Sequence, residues 1–198
     1  MEFSTAFEKL MKDEGLWVLT HDPNDPGGET WSGISRSAYP DWDGWPLIDE
    51  AKTSPSALDR THKNYSEIKK LTRQFYETQF WLSLACDKLP DGLAYELFEQ
   101  AVNLGKRRAT AHLQRTLNCL NRPVGNALEY GEDLAEDGIF GPATLSRLLT
   151  LVSRCRAEAI MHGINGLQCA YYIQLGEDVR RRMYTNGWLA KRGKGSLV

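Results

Sequence analysis

Residues 14–34 read EGLWVLTHDPNDPGGETWSGI, and this stretch decides how the first part of the chain folds. Its centre, DPNDPGG at 22–28, is dense in the residue types that form tight turns, so the chain must change direction here. The segment before it carries apolar side chains at positions i, i+4, i+7 and i+8, namely Phe3, Phe7, Leu10 and Met11. This spacing predicts an amphipathic helix, which Gly15 ends.

Glu14 interrupts the apolar pattern of this helix. It lies four residues after Leu10 and three after Met11, where another buried side chain is expected. A carboxylate at a helix C-terminus meets the negative end of the helix dipole, and partial burial also disfavours its charge, so both effects raise its pKa. A carboxylic acid that keeps its proton near neutral pH is what general acid cleavage of a glycosidic bond requires. Periodicity alone also fits an ordinary solvated carboxylate at a helix end.

The residues after Glu14 add the other groups that such chemistry needs. Asp22 and Asp25 are candidates for a second carboxylate, which activates water or stabilises positive charge on the sugar. Aromatic rings beside acids suit sugars, because a ring face packs on the apolar face of a pyranose. Four of the six tryptophans lie in this region: Trp17, Trp31, Trp42 and Trp45. With five of the eight prolines between positions 15 and 65, we expect a long structured loop region containing a short hairpin.

The rest of the chain has helical periodicity. Apolar residues at helical spacing occur in the segments 68–82, 93–102, 109–120 and 145–152. Gly105 is expected to close the second of these helices, and Pro142 is well placed as the first residue of the fourth. A further helix is expected over much of 156–182, followed by a basic tail. The sequence therefore predicts a mainly α fold with irregular structure concentrated near the N-terminus.

The charge distribution is uneven. The chain of 198 residues has a formal net charge of −2, but residues 1–50 hold eleven acidic and three basic side chains. That segment carries −8, so the remaining 148 residues carry +6. The split argues against a nucleic-acid binder with one basic face, and the basic run Arg180–Arg182 has no recognition motif beside it. We expect no nucleic-acid partner.

Membrane, metal and cofactor functions have no support in the sequence. The longest apolar stretches, such as 148–152, are far shorter than the roughly 20 residues of a bilayer span, and we expect neither stable membrane insertion nor a secretory signal. The four cysteines show no Cys-x-x-Cys, and Gly33 stands where a calcium loop beginning at Asp22 needs a bidentate glutamate. We therefore expect no metal site, no cofactor, and reduced, mostly buried cysteines.

Several ordered motifs together point to a known family. They are EGLW at 14–17, DPNDPGGET at 22–30, LTRQFYETQFW at 71–81 and FEQAVNLG at 98–105. The set resembles glycoside hydrolase family 108, the N-acetylmuramidases found among phage endolysins and some secretion-associated lysins. DGIFGPATL at 137–145 resembles the small peptidoglycan-binding segment that follows in such proteins.

The resemblance implies roles for individual residues. The family's catalytic glutamate falls on Glu14, its turn aspartate on Asp25 and its threonine on Thr30. Leu16 stands where a second glycine is usual, and the spacing from Glu14 to the turn is two residues longer than in typical members. Asp25 is preferred because it directly precedes Pro-Gly-Gly, while Asp22 stays open as the second carboxylate. The residues expected to contact substrate are Trp17, Asp22, Trp31, Trp42 and Tyr76.

The resemblance also implies an activity and an organisation. We expect a lysozyme-like peptidoglycan hydrolase that cleaves the β-1,4 bond between N-acetylmuramic acid and N-acetylglucosamine. A catalytic region is expected over 1–89 and a helical peptidoglycan-binding-like region over 90–198, packed as one compact unit. The partners are expected to be peptidoglycan glycan strands and a holin or other export partner. The protein is expected to be a monomer, made in the cytoplasm and acting in the periplasm or cell wall.

Three questions stay open at the level of the sequence. A non-catalytic wall-binding or secretion accessory protein could keep the same fold. A different β-1,4 amino sugar, such as chitin, could be the substrate. Retaining or inverting stereochemistry depends on the separation of the two carboxylates, which a sequence does not contain.

Overall fold

The computed structural model of the protein describes residues 1–14, 17–21, 28–53 and 62–192, without the side chains of 13, 14, 191 and 192. Eight α-helices and five short strands occur in the described part, which confirms the mainly α fold. The chain divides into two compact units, Phe3–Gln79 and a second unit that combines Met1–Glu2 with Phe80–Val198.

The first unit combines three helices with a small antiparallel sheet. Its elements are α1 (Phe3–Glu14), β1 (Leu19–His21), β2 (Glu29–Trp31), β3 (Ile34–Ser35), α2 (Gly44–Lys52) and α3 (Tyr65–Tyr76). The sheet order is β1-β2-β3, with Thr30 opposite both Thr20 and Ser35. The expected hairpin is therefore present, and a third strand extends it.

The apolar stripe of α1 is buried as its spacing predicts. Phe3, Phe7, Leu10 and Met11 belong to the core of the first unit. Helix α2 was not predicted, because its one proline and one tryptophan look like those of a loop. Trp45, Ile48 and Ala51 are nevertheless buried at three-residue spacing, which is the inner face of a short helix.

The second unit is built from five helices and a two-stranded hairpin. Its elements are α4 (Asp91–Leu104), α5 (Lys106–Cys119), β4 (Pro123–Val124), β5 (Ala127–Leu128), α6 (Pro142–Ser153), α7 (Ala157–Gly176) and α8 (Arg182–Arg192). A π-helical turn, Glu77–Trp81, follows α3, and short 3-10 segments occupy Leu82–Leu84, Cys86–Lys88 and Val179–Arg181. The predicted roles of Gly105 at the end of α4 and Pro142 at the start of α6 are confirmed.

Helices α4, α5 and α7 pack against one another and form the centre of this unit. Leu97 and Phe98 of α4, Leu113 of α5 and Ile164 of α7 have no exposed area. The approach of α5 and α7 depends on Gly163, since a Cβ there would lie 2.4 Å from Thr116 Cγ2. A side chain at this position would force the two helices apart.

The helix expected over much of 156–182 is α7, which spans Ala157–Gly176. The prediction of a basic tail after it was wrong, because much of that segment forms the helix α8. The Trp188 ring stacks on Tyr172 of α7 with centroids 5.5 Å apart, so α8 packs back onto α7. A positively charged run is thus compatible with a helix when one aromatic residue anchors it.

The four cysteines are free thiols. Only Cys86 is buried, whereas Cys119 and Cys155 are exposed, so the expectation of mostly buried cysteines was wrong. Burial raises the pKa of the Cys86 thiol well above its usual range, and this thiol stays protonated at physiological pH.

No helix in the described ranges is both long enough and apolar enough to cross a membrane.

Candidate active site

The predicted general acid, Glu14, is the last residue of α1. The helix therefore ends where the apolar stripe reaches this carboxylate, as the sequence predicts. The side chain of Glu14 and the whole of Asp22 and Asp25 lie outside the described residues. The described part of the candidate site consists of side chains on the small sheet and on the helices next to it.

The register of the sheet places three hydroxyl groups on one face. Thr20 and Ser35 are both directly opposite Thr30, and residues paired across strands share a face. The Thr20 hydroxyl donates a hydrogen bond to the Thr30 carbonyl oxygen at 3.3 Å. We call Thr20, Thr30 and Ser35 the hydroxyl row. Thr30 itself is half-buried.

Trp31 occupies the opposite face and lies in the core. Its ring has no exposed area, and its indole N–H donates to Thr72 Oγ1 on α3 at 2.9 Å. The Thr72 hydroxyl in turn donates to the Ile68 carbonyl oxygen at 2.7 Å. Direct packing of Trp31 on a sugar ring was therefore a wrong expectation, because strand alternation turns it inward when Thr30 faces outward. Its role is to hold β2, and with it Thr30, against α3.

Tyr76 is also a core residue rather than part of an open surface. It is 3% exposed, and its hydroxyl donates to the Ser32 carbonyl oxygen at 2.8 Å. The turn between β2 and β3 needs positive φ at Ser32 (46°) and Gly33 (85°). A Cβ at Gly33 would lie 2.6 Å from the Tyr76 hydroxyl oxygen, so only glycine fits beneath this ring. Tyr76 thus positions the sheet, and its predicted contact with substrate is not supported.

Trp17 is half-buried and remains suited to contact a substrate. The edge of its ring meets Phe7 of α1 with centroids 6.2 Å apart. Lys69 Nζ lies 4.3 Å from the centroid of Trp17 and 5.8 Å from that of Tyr65. The ammonium group holds the indole by a cation–π contact, which fixes its orientation beside the end of α1. The contact of Lys69 and Tyr65 with this site was not predicted, although their four-residue spacing on one helix face was visible in the sequence.

Trp42 lies in a separate surface pocket of about 390 Å³. Tyr39, Trp42 and Phe75 supply aromatic walls, and Asp41 and Gln74 supply polar groups. The Tyr39 and Phe75 rings meet edge to face at 4.7 Å, and burial raises the pKa of the Tyr39 phenol. Aromatic surface with a few polar groups is the usual composition of a small-molecule site.

Helix α3 separates this pocket from the sheet. Leu71, Gln74 and Phe75 of α3 line the pocket together with Thr78 of the turn that follows. Lys69, Thr72 and Tyr76 of α3 contact Trp17, Trp31 and Ser32. At about 100° per residue these two sets fall on nearly opposite sides of the helix. The structure therefore groups Trp17, Thr30, Trp31 and Tyr76 around one side of α3 and places Trp42 on the other.

An ion-pair network ties the sheet to α2. Arg36 makes two hydrogen bonds to Asp49, at 3.0 and 2.7 Å, and its guanidinium also lies 3.0 Å from Glu29. Lys52 pairs with both carboxylates. The hydrogen bonds from Arg36 lower the pKa of Asp49, which favours the charged form of this carboxylate. Glu29, four positions after the predicted Asp25 in the sequence, is thus engaged in holding β2.

No group of three or more potential metal-binding side chains occurs in the described part of the chain.

Comparisons with known proteins agree with this architecture. The family model described as "Glycosyl hydrolase 108" matches residues 7–105, which include all of the first unit after α1 begins. A second model, described as "Predicted Peptidoglycan domain", matches residues 108–193. No curated protein matches the chain at a significant level.

Among solved structures, the chain is similar to SagA of Brucella abortus. The TM-score is 0.55 at 20% sequence identity, and the match covers 99% of this chain and 98% of that one. At this level of identity the likeness shows a shared fold. The family model spans half of the chain and a peptidoglycan domain follows it, as the motifs predict. The chain therefore belongs to the glycosyl hydrolase 108 family and is a lysozyme-type peptidoglycan hydrolase.

Proposed function

We propose that the protein cleaves the β-1,4 bond between N-acetylmuramic acid and N-acetylglucosamine, with Glu14 as the general acid. The observation that carries this proposal is the position of Glu14 at the last residue of α1, directly after a buried apolar stripe. The negative end of the helix dipole favours the protonated form of a carboxyl group at this position. A protonated Glu14 donates its proton to the glycosidic oxygen as the bond breaks.

The second carboxylate acts on the other side of the bond. Asp25 is proposed to orient the attacking water or to stabilise positive charge at the sugar, and Thr30 to hold that water. The hydroxyl row supports this role, because Thr20 holds the backbone at Thr30 and Thr30 is only half-buried. Trp31 and Tyr76 act as positioning residues, since each holds the Thr30 strand or its turn without reaching solvent. Trp17, held by Lys69, is proposed to pack against a sugar ring.

Replacement of Glu14 tests the proposal directly. Glu14→Gln keeps the shape and removes the proton donor, so the rate of hydrolysis should fall by about 10²–10⁴-fold. The measurement is the release of reducing ends from purified sacculi, with product ends identified by mass spectrometry. Glu8→Gln is the matched control, because Glu8 is an exposed carboxylate on the same helix, and it should leave the rate unchanged.

The outcomes separate the alternatives. If Glu14→Gln protein releases reducing ends at nearly the wild-type rate, Glu14 is not the acid. Products with a different reducing sugar would contradict the proposed bond. For the second carboxylate, Asp25→Asn should cost more activity than Asp22→Asn, and the reverse order would transfer the role to Asp22.

We also propose that the protein acts in the periplasm or cell wall, because peptidoglycan lies there, and that a holin or another export partner delivers it. Cells that produce the protein should then lyse only when such a partner is produced as well. Lysis at the same rate without the partner would contradict this part of the proposal.

A further inference from the structure

Loop 129–141 of the second unit is held rigidly by amide side chains. Asn118 donates to the Leu134 carbonyl oxygen at 2.9 Å and accepts from the Leu134 N–H at 2.8 Å. Asn121 and Gln114 make the same kind of double contact with other parts of the loop. We call Gln114, Asn118 and Asn121 the amide ladder. Satisfied amide contacts of this kind fix a backbone as firmly as a strand partner would.

A pocket of about 530 Å³ lies between this loop and α6. Residues that line it include Tyr130, Glu132, Asp133, Ala143, Ser146 and Arg147. The loop wall is fixed by the amide ladder and the helix wall by regular structure. The pocket is therefore pre-formed, which lowers the entropic cost of binding a ligand.

Arg147, which lines this pocket, carries a hydrogen-bond donor that has no partner. The side chain is only 9% exposed, and its Nη2 donates to the carbonyl oxygens of Tyr130 and Glu132 at 2.7 and 2.9 Å. Its Nη1 is buried and has no hydrogen-bond partner. An unpaired N–H on a buried cation is costly, so an acceptor group that reaches it gains more than the same group would gain in water. Carboxylates match the planar guanidinium best.

The charges around Arg147 exclude a ligand that is only anionic. Glu132 and Asp133 line the same pocket and are exposed, so they would repel an anion without a positive group of its own. A ligand that carries an ammonium group beside its carboxylate can pair with the acidic side chains and with the guanidinium at the same time. The ammonium group would face the two acidic side chains, and the carboxylate would face Arg147.

We propose that this pocket binds a zwitterionic amino-acid centre, in which one carbon carries a free ammonium group and a free carboxylate. The assignment of this ligand rests on the proposed function. The amino-acid centre belongs to a peptide stem of peptidoglycan whose diamino acid is not cross-linked. Cross-linking consumes the ammonium group, so the pocket distinguishes open stems from closed ones. The second unit would then retain the enzyme on peptidoglycan that is rich in uncross-linked stems.

The test uses the full chain and a soluble disaccharide tripeptide that ends in meso-diaminopimelic acid. Binding is followed by amide chemical shifts and by calorimetry, with shifts expected at Tyr130, Glu132 and Ser146. Acetylation of the free amine, or amidation of the adjacent carboxylate, should each weaken binding by about tenfold or more. Equal binding of the blocked and unblocked ligands would overturn the proposal. Free meso-diaminopimelic acid distinguishes a site for the isolated amino acid from one that also needs the stem.

Three variants locate the site. Ala143→Leu fills the pocket from an exposed helix position and should abolish binding. Glu132→Gln should weaken it by about tenfold, while Glu136→Gln, an exposed carboxylate of the same loop outside the pocket, is the matched control. Arg147→Lys should weaken binding too. Because Arg147 also holds the loop, a loss of binding in this variant could come from a displaced loop. The Ala143→Leu and Glu132→Gln variants therefore decide whether this pocket is the binding site. Undiminished binding to the Ala143→Leu protein would overturn the proposal.

The failure of this proposal and that of the proposed function have different signatures. Peptide-free glycan strands contain no amino-acid centre that this pocket could bind. Their hydrolysis therefore reports on the proposed role of Glu14 and not on the pocket. Ala143→Leu protein should hydrolyse these strands at the wild-type rate. It should act more slowly than wild type only on sacculi with uncross-linked stems.

Discussion

The two units stabilise their irregular segments by different means. In the first unit, the sheet and the turns around it are held from inside by apolar side chains, with Trp31, Ile34 and Trp45 buried beneath them. In the second unit, loop 129–141 is held by the amide ladder, whose members bond to its backbone. Burial of large apolar groups contributes several kcal/mol per side chain, whereas each net hydrogen bond contributes about 1 kcal/mol. The sheet should therefore fail together with its unit, and the loop should open locally.

The largest expected effect comes from Trp31. Trp31→Ala leaves a cavity in the first unit and should lower its free energy of unfolding by about 3–5 kcal/mol. Urea denaturation followed by tryptophan fluorescence measures this change. Trp31→Phe, which keeps the ring but removes the N–H donated to Thr72, should cost less. A loss below about 1 kcal/mol for the alanine variant would show that aromatic burial does not hold the sheet.

An intermediate effect is expected at Asn121. Asn121→Ala removes its contacts to Gly131 and Tyr130 and should cost about 1–3 kcal/mol. Hydrogen exchange should show faster exchange in loop 129–141 with little change in α4. Asn126→Ala, at an exposed position in the nearby hairpin, is the matched control. Global destabilisation without local opening would contradict the contrast between the units.

The smallest effect concerns pH and His112 on α5. Burial, with help from Arg108 and Arg115, lowers the pKa of His112 from 6.5 to about 4. The unfolded chain therefore takes up this proton near pH 6.5, and the folded chain takes it up only near pH 4. Stability from this group is complete above pH 6.5 and declines as the pH falls towards 4.

Denaturation of wild type and His112→Gln at pH 7 and pH 4.5 tests this linkage. The wild-type protein should lose more stability across that interval than the variant does. Equal losses would show that the proton on His112 is not coupled to folding. Glutamine keeps a polar group opposite Gln100, whose Oε1 lies 3.1 Å from His112 Nδ1.

Much of the fold was predictable because its helices follow simple periodicity. The buried stripe of α1 was visible as apolar spacing, the end of α4 as a glycine and the start of α6 as a proline. Helix α2 was not, since it is short and its tryptophan and proline are also typical of loops. Helix α8 was missed because a basic run looks solvated until Trp188 is seen to stack on Tyr172.

The candidate site was predictable only in part. The position of Glu14 at the end of a helix follows from the apolar stripe together with Gly15. Trp31 and Thr30, in contrast, are neighbours with opposite orientations, and only the register of β2 decides which one faces out. Residue type alone does not distinguish a tryptophan that contacts a sugar from a tryptophan that lies in the core. The amide ladder was also missed, since polar residues at helical spacing usually indicate a solvated face.

Helix α3 presents two surfaces that can be varied independently. Phe75 belongs to the wall of the Trp42 pocket, and Tyr76 belongs to the support of the sheet. A library confined to Leu71, Gln74 and Thr78 would change the pocket while leaving the contacts of Lys69, Thr72 and Tyr76 in place. Directed evolution of these three positions would thus reshape the Trp42 pocket without rebuilding the framework that holds β2.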